Sequence, residues 1–328
     1  MQKNEMNAVI LHHTCKAEEL MPTTVPIPNI KPDWVLVKIR GFGINRSEIM
    51  FRSYEADAPS INLPRIPGIE CVGEIADPSN SHFKKGDRVV ALMGGMGRSF
   101  DGSYATFALL PTKNVFSVIS DLEWAELAAI PESYFTAFGS LFECLNLEAR
   151  DTLLIRGGTS ATGIAAIQLA KSIGCRVIAT TRQERKKVFL KEMGVDDVII
   201  DDGKISCTLK KLLPAGINKI LELVGTNTLE DSLSALAPKG ILCLTGILGS
   251  KSAIASFDII KAIPNGAYIT SFFSNYPTQE TINKLFEHIK TYAIKPKIAY
   301  IFQFEEISKA HLLMESNGAN GKIVILTN

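Results

Sequence analysis

Residues 153–174 read LLIRGGTSATGIAAIQLAKSIG: an apolar run, a turn of small residues and a helical pattern. The turn has the spacing Gly158-x-Ser160-x-x-Gly163. A strand, turn and helix of this kind can seat a pyrophosphate, because a helix N-terminus presents unpaired N–H groups and the positive end of its dipole. Gly158 is expected to allow the tight turn, and Gly163 close packing of helix on strand. Ser160 replaces the glycine that usually lets the backbone approach the ligand. Its hydroxyl or N–H is predicted to face the pyrophosphate, with Thr159, Ala161 and Thr162 completing the loop. An NAD-selective site usually places an acid about 20 residues further on, accepting from the ribose hydroxyl. Here the chain reads ATTRQERKK (179–187). Thr180, Thr181 and Arg182 lie at the strand tip, and Arg185 and Lys186 one helical turn beyond. A ribose 2′-phosphate is a dianion that takes forked cationic donors. NADPH is therefore the expected cofactor, with Thr181, Arg182 and Lys186 at its phosphate.

The elements that must hold this loop follow from the surrounding rhythm. Strand-like runs at 152–156, 176–180, 197–200, 219–224, 240–246 and 267–272 alternate with helical stretches at about 161–173, 183–193, 205–213 and 226–236. Such alternation predicts a doubly wound α/β fold, a parallel six-stranded sheet with helices on both faces. Before it, runs such as WVLVKIR (34–40), ECVGEIA (70–76) and DRVVALM (87–93) are punctuated by Pro, Gly, Asn and Asp. They predict a mostly β N-terminal domain. The last stretch offers a helix at about 278–291, a strand at 297–304, a helix at about 305–316 and a strand at 322–326. It is expected to return to the first domain. The expected division is 1–122, completed by 274–328, around a dinucleotide-binding domain of 123–273.

Composition narrows the function classes. Thirty-five basic and 34 acidic residues give a net charge of +1, which disfavours nucleic acid or an anionic membrane surface as the main partner. The six cysteines are widely spaced and form no CxxC. Neither a structural zinc cluster nor a disulfide framework is expected, and free thiols fit a cytoplasmic protein. No run of 18 apolar residues or signal-like leader is present, so no membrane span is expected.

Several segments together carry a resemblance: GFGINRSEI (41–49), RIPGIECVGEI (65–75), GDRVVAL (86–92), DGSYATFALLPTKNVF (101–116), IPESYFTAFGSLFE (130–143), the loop helix and GKIVIL (321–326). They occur in family order over nearly the whole chain. The chain resembles the medium-chain dehydrogenase/reductase superfamily, within it the zinc-free quinone oxidoreductase branch related to zeta-crystallin. The resemblance implies a GroES-like N-terminal domain, a Rossmann domain and a cofactor cleft between them. It implies that Asn45 and Thr136 lie near the nicotinamide, and that Gly225, Gly246 and Ile247 line the riboses. Phe272 and Phe273 would border the nicotinamide. It also implies a homodimer formed by edge pairing of the sixth strands, AYITSF (267–272).

The zinc alcohol dehydrogenases of this superfamily place a metal-binding histidine in a Gly-His-Glu motif. Here the matching residues are Gly68-Ile69-Glu70, and isoleucine cannot bind metal. Cys71 and Cys144 have no histidine near them in sequence, and Glu70 is read as structural. No metal is expected. Without a Lewis acid, simple ketones are hard to polarise, whereas quinones and enones spread the incoming charge over a π system. The expected activity is hydride transfer from NADPH to a quinone, enone or aldehyde, with Tyr54 and Tyr134 as candidate hydroxyls at the catalytic centre. A zinc-type alcohol dehydrogenase and a non-catalytic NADPH-binding protein of the crystallin or RNA-binding kind remain the alternative readings.

Overall fold

The computed structural model of the chain describes residues 4–249, 253–254 and 256–327. Its strands, in chain order, are β1 (Glu5–Ala8), β2 (Thr23–Pro26), β3 (Trp34–Ile44), β4 (Glu70–Asp77), β5 (Arg88–Leu92), β6 (Phe107–Pro111), β7 (Val115–Ser117), β8 (Thr152–Arg156), β9 (Arg176–Thr181), β10 (Asp197–Ile200), β11 (Ile217–Glu222), β12 (Leu236–Leu244), β13 (Tyr268–Ser271), β14 (Ile298–Gln303) and β15 (Lys322–Leu326). The chain divides into two compact units, 1–132 with 275–328, and 133–274.

The second unit is the expected parallel sheet. Its order is β10-β9-β8-β11-β12-β13, with every neighbouring pair parallel. In order of appearance this is 3-2-1-4-5-6, the dinucleotide-binding topology, whose strand order reverses between β8 and β11. Leu153, Leu154 and Ile155 are all fully buried, as a parallel strand covered on both faces requires. The helix Ala161–Ser172 turns Ile164, Ala165, Ile167, Leu169 and Ala170 inward. It ends in a Schellman motif: Gly174, at φ +82°, donates to the Lys171 carbonyl, and Cys175 to that of Ala170.

The first unit is a mostly β, GroES-like domain. β3 buries Val35, Val37 and Ile39 and exposes the residues between them more, the period-2 pattern of a strand with one core face. Its long sheet runs β14-β15-β3-β4-β5-β7, with β6 also on β3. The C-terminal segment enters this sheet through β15, antiparallel to β3. The division falls ten residues beyond the 122/123 expected from sequence. The reason is local. The short helix Trp124–Ala128 packs on β3, β4 and β15, and the Arg88 guanidinium lies 4.1 Å over the Trp124 ring. Arg88 also donates to the Ser120 carbonyl, holding the chain to the β unit past residue 122.

Candidate functional site

In the α/β unit, ligand chemistry is expected at the carboxyl ends of the strands beside the switch point. Gly157, not Gly158, makes the turn after β8, at φ +93°. A Cβ on Gly158 would lie 2.8 Å from the Ala179 Cβ, so its glycine keeps β9 close. This corrects the tight-turn role expected for Gly158. A Cβ on Gly163 would lie 2.5 Å from the Gly157 carbonyl oxygen, so here glycine does set the helix against the turn. Thr180 clamps the turn to β9: its hydroxyl accepts from Gly157 N (3.1 Å), and its carbonyl from Gly158 N (3.0 Å).

Ser160 is the helix N-cap. Its hydroxyl accepts from Gly163 N at 3.0 Å and lies 2.9 Å from the Gly157 carbonyl, to which it donates. Its N–H donates to the same carbonyl at 3.1 Å. Both Ser160 donors are therefore engaged inside the loop, which differs from the open donor that the sequence suggested. The first-turn N–H groups of Ala161 and Thr162 have no carbonyl one turn back to bond within the helix. They are the donors the loop offers, beside Thr159.

Beneath the turn lies a charge network that sequence reasoning missed. Arg156 ends β8 fully buried and reaches Asp201 at 2.8 and 2.9 Å, Asp231 at 2.8 Å and Ser232 at 2.9 Å. Burial would raise the Asp201 carboxyl, but Arg156, with bonds from the Gly203 N–H and the Thr180 hydroxyl, outweighs it and holds the group below the usual range. Glu222 ends β11. Its carboxylate accepts from Ser232 at 2.6 Å and from the N–H groups of Val224 and Gly225, and burial pushes it up. The available signal was that Arg156 and Asp201 each end or follow a mainly apolar strand, and that Glu222 follows the apolar pair Ile220 and Leu221.

The cations predicted for a phosphate gather at the tip of β9. Arg182 is exposed and Lys186 buried. Burial lowers the Lys186 ammonium, and the charges of Arg185 and Arg182 lower it further. Thr181 is buried and its hydroxyl accepts from Gln183 N at 3.2 Å.

Beyond β11 and β12, Gly225 lies at φ +104°. A Cβ on Gly246 would come within 2.3 Å of the Leu223 carbonyl oxygen. Ile247 is exposed. Ser140 joins Thr136 to this region: its hydroxyl donates to the Thr136 carbonyl at 2.7 Å and lies 2.9 Å from the Thr245 hydroxyl. Phe272 packs edge-on against Phe135 with ring centroids 5.6 Å apart, while Phe273 is exposed. The Tyr134 hydroxyl is buried and donates to Gln168 Oε1 on the loop helix, so it is an internal structural bond rather than an open proton donor.

The β unit has its own buried polar group. Lys322, at the start of β15, lies 2.6 Å from both Glu70 Oε1 and Asn45 Oδ1. The Asn45 amide donates to Glu70 Oε1 at 2.9 Å, and Glu132 N donates to Glu70 Oε2. Glu48 accepts from the N–H groups of Asn45 and Ile69. Its carboxyl is pushed up to about 7, by burial first and then by Glu70, against the opposing pull of Lys322. A Cβ on Gly43 would fall 2.0 Å from Lys322 Cε, so the pair requires glycine there. Tyr54 is 60 % exposed. A cavity of about 820 Å³, lined by Trp34, His82, Phe100, Lys113 and Phe116 among others, borders none of the predicted site residues.

These donors do not fit a metal. Ile69 is aliphatic, Glu70 is already bonded to Lys322 and Asn45, and the Cys71 thiol, buried, is pushed far up. Among the described residues no three His, Cys, Asp or Glu side chains gather closely enough to hold an ion.

Comparison with known proteins fits this architecture. Residues 31–120 match the alcohol dehydrogenase GroES-like domain and residues 161–291 the family described as zinc-binding dehydrogenase. The quinone oxidoreductase of Sus scrofa is 27 % identical over 315 residues, covering 93 % of each chain. The crystal structure of AibC superposes with a TM-score of 0.88 at 26 % identity, covering 100 % of this chain and 97 % of that one. A mycobacterial protein complexed with NADPH superposes with a TM-score of 0.83 at 25 % identity, covering 98 % and 99 %. No helix of the described residues is long and apolar enough to cross a membrane. With both domain models matched in order and the 3-2-1-4-5-6 sheet in place, the chain belongs to the medium-chain dehydrogenase/reductase superfamily of oxidoreductases, on its quinone oxidoreductase-like branch.

Proposed function

We propose that this chain is an NADPH-dependent reductase that passes hydride to a quinone or an α,β-unsaturated carbonyl and works without a metal. The observation that carries the choice of nucleotide is the cation cluster at the tip of β9. Lys186 is lowered by its two arginine neighbours as well as by burial, so the cluster pays a repulsion that a phosphate dianion would relieve. No acid occupies the tip; Thr180 and Thr181 do. The NADPH complex of the mycobacterial neighbour supports the same reading.

The residues present fit the cofactor. Gly158 and Gly163 let β9 and the loop helix close tightly on the turn, where a Cβ would clash with Ala179 or the Gly157 carbonyl, and Thr159, Ala161 and Thr162 would bind the pyrophosphate through backbone N–H groups. Arg182, Lys186 and Thr181 would hold the 2′-phosphate. Gly225, Gly246 and Ile247 would border the riboses, and Asn45, Thr136, Phe272 and Phe273 the nicotinamide. When bound, the cofactor supplies the hydride. The chain contributes orientation and exclusion of water. Asn45 is held for this task by Lys322 and Glu70. Because Gln168 occupies the Tyr134 hydroxyl, Tyr54 is the side-chain hydroxyl left to propose as a proton source. The metal-free clause rests on the unsuitable donor set, and the acceptor class on the quinone oxidoreductase relatives. Two copies are proposed to pair along β13, whose Tyr268 and Ile269 are exposed at the sheet edge. The six free thiols fit a reducing, cytoplasmic setting.

The test is NADPH oxidation by the purified chain against quinones, enones and aldehydes. Turnover with a quinone or enone is expected. NADPH binding without turnover of any acceptor would contradict the reductase reading, and activity that depends on one tightly held zinc per chain would contradict the metal-free clause.

A further inference from the structure

Two thiols in the α/β unit meet at a place the proposed reaction does not use. Cys144 ends the helical turn Gly139–Cys144, and Cys243 lies within β12. The parallel register sets Cys243 beside Thr270 and Leu244 beside Ser271 of β13. Cys144 lies across this strand pair. Its Sγ is 3.5 Å from the Ser271 carbonyl oxygen, and Cys243 and Thr270 are the neighbouring side chains that act on its thiol. Cys243 is in turn 3.3 Å from the Thr245 hydroxyl. Cys144 is partly exposed, whereas Cys243 is buried. One sulfur is thus reachable from solvent, and its partner waits behind it.

We propose that Cys144 and Cys243 form an oxidation site, in which Cys144 reacts with a hydroperoxide and Cys243 resolves the product as an intrachain disulfide. In the first step the Cys144 thiolate attacks one peroxide oxygen. An S–O bond forms and the O–O bond breaks. Cys144 becomes a sulfenic acid, and the departing oxygen takes up a proton. In the second step Cys243 sulfur attacks Cys144 sulfur, the S–O bond breaks, and the Cys243 proton leaves with the hydroxide as water. Two thiols and one hydrogen peroxide give one disulfide and two waters. The two sulfurs together lose two electrons, and the peroxide oxygens gain them.

The protonation of the pair suits this order. The hydrogen bond from Cys243, and then that from Thr270, bring Cys144 down to about 7 against the opposing effect of burial. Cys243 is pushed far up by the same bond and by its burial. The thiolate, which is the nucleophile, therefore forms on the reachable sulfur, and the proton needed by the leaving hydroxide stays on the buried one. The bond would tie the Gly139–Cys144 turn to β12 beside the aromatic pair Phe135 and Phe272; Gly139 already lies against the Phe272 ring, where a Cβ would meet it at 2.1 Å.

The test treats the full chain with one equivalent of hydrogen peroxide at neutral pH, blocks remaining thiols under denaturing conditions and maps the unreduced peptides by mass. The expected product joins the Cys144 and Cys243 peptides within one chain, while the exposed Cys207 stays alkylatable. In Cys144→Ser, at a partly exposed position, Cys243 should remain a thiol. Oxidation of Cys207 while Cys144 and Cys243 stay reduced would overturn the proposal. So would a Cys144 bond to a second chain, or a Cys144 sulfinic acid with Cys243 untouched.

Discussion

Replacing Lys322 by Met removes the cation from a pocket that keeps two buried carboxylates, Glu70 and Glu48. Breaking a buried ion pair from one side costs about 3–5 kcal/mol, because the remaining charge stays desolvated. Glu48 adds a pH signature. Its folded carboxyl is raised from 4.5 to about 7, a difference of roughly 3 kcal/mol at ~1.4 kcal/mol per unit. The folded state therefore binds this proton more tightly than the unfolded one. The stabilisation is fully present below about pH 4.5 and is lost as pH rises through about 7. Lys322 opposes that upward shift, so its loss moves the folded value higher still and extends the fall in stability to higher pH. The assay is urea denaturation followed by tryptophan emission. The chain has two tryptophans, and Trp34 and Trp124 both lie in the β unit, so the signal reports that unit alone. Adding Glu70→Gln to Lys322→Met should restore much of the loss, because a neutral pair carries no stranded charge. A Lys322→Met chain within about 0.5 kcal/mol of the parent, the range of an ordinary surface substitution, would refute the reasoning. A double variant weaker than the single one would refute it equally.

Ser160→Ala should cost the α/β unit about 1 kcal/mol through its lost helix cap, with little change in the KM for cofactor, since the hydroxyl bonds within the loop. Thermal unfolding and steady-state kinetics check the two parts. Gly163→Ala drives a Cβ to 2.5 Å from the Gly157 carbonyl oxygen; about 1–3 kcal/mol of strain is expected, with a weakened cofactor affinity measurable by titration. Arg182→Ala with Lys186→Ala should raise the KM for NADPH about ten- to hundredfold, as the loss of charge-assisted bonds of about 1.5–3 kcal/mol predicts, and leave NADH nearly unchanged.

Periodicity carried most of the fold. The strand limits of β8, β10 and β15 coincide with the runs read from sequence, because a buried parallel strand and a half-buried one each leave a distinct apolar pattern. The apolar pattern marked the C-terminal helices and strands, whereas their return to the β unit was an economical reading and an implication of the family resemblance. Side-chain pairing across distant segments was not. Glu48, Glu70 and Lys322 come from three stretches that meet only in the folded sheet, and nothing in their local sequence marks them as partners. Ser160 was read as a ligand donor because a hydroxyl in a phosphate loop suits that role. Its competing role as a helix cap depends on the loop's path, which puts the Gly157 carbonyl and Gly163 N–H within its reach. The glycine roles shifted for a related reason. Gly157 and Gly158 are adjacent, and only the backbone shows which takes positive φ and which yields space to Ala179.

The ratio of kcat/KM for NADPH to that for NADH, measured on the unaltered chain with one quinone acceptor, reads out whether the tip of β9 receives a 2′-phosphate. The cations at the tip of β9 predict a preference for NADPH of at least about tenfold, the equivalent of about 1.4 kcal/mol. A ratio near one, or a preference for NADH, would contradict the phosphate role given to Arg182 and Lys186 and with it the account of this site.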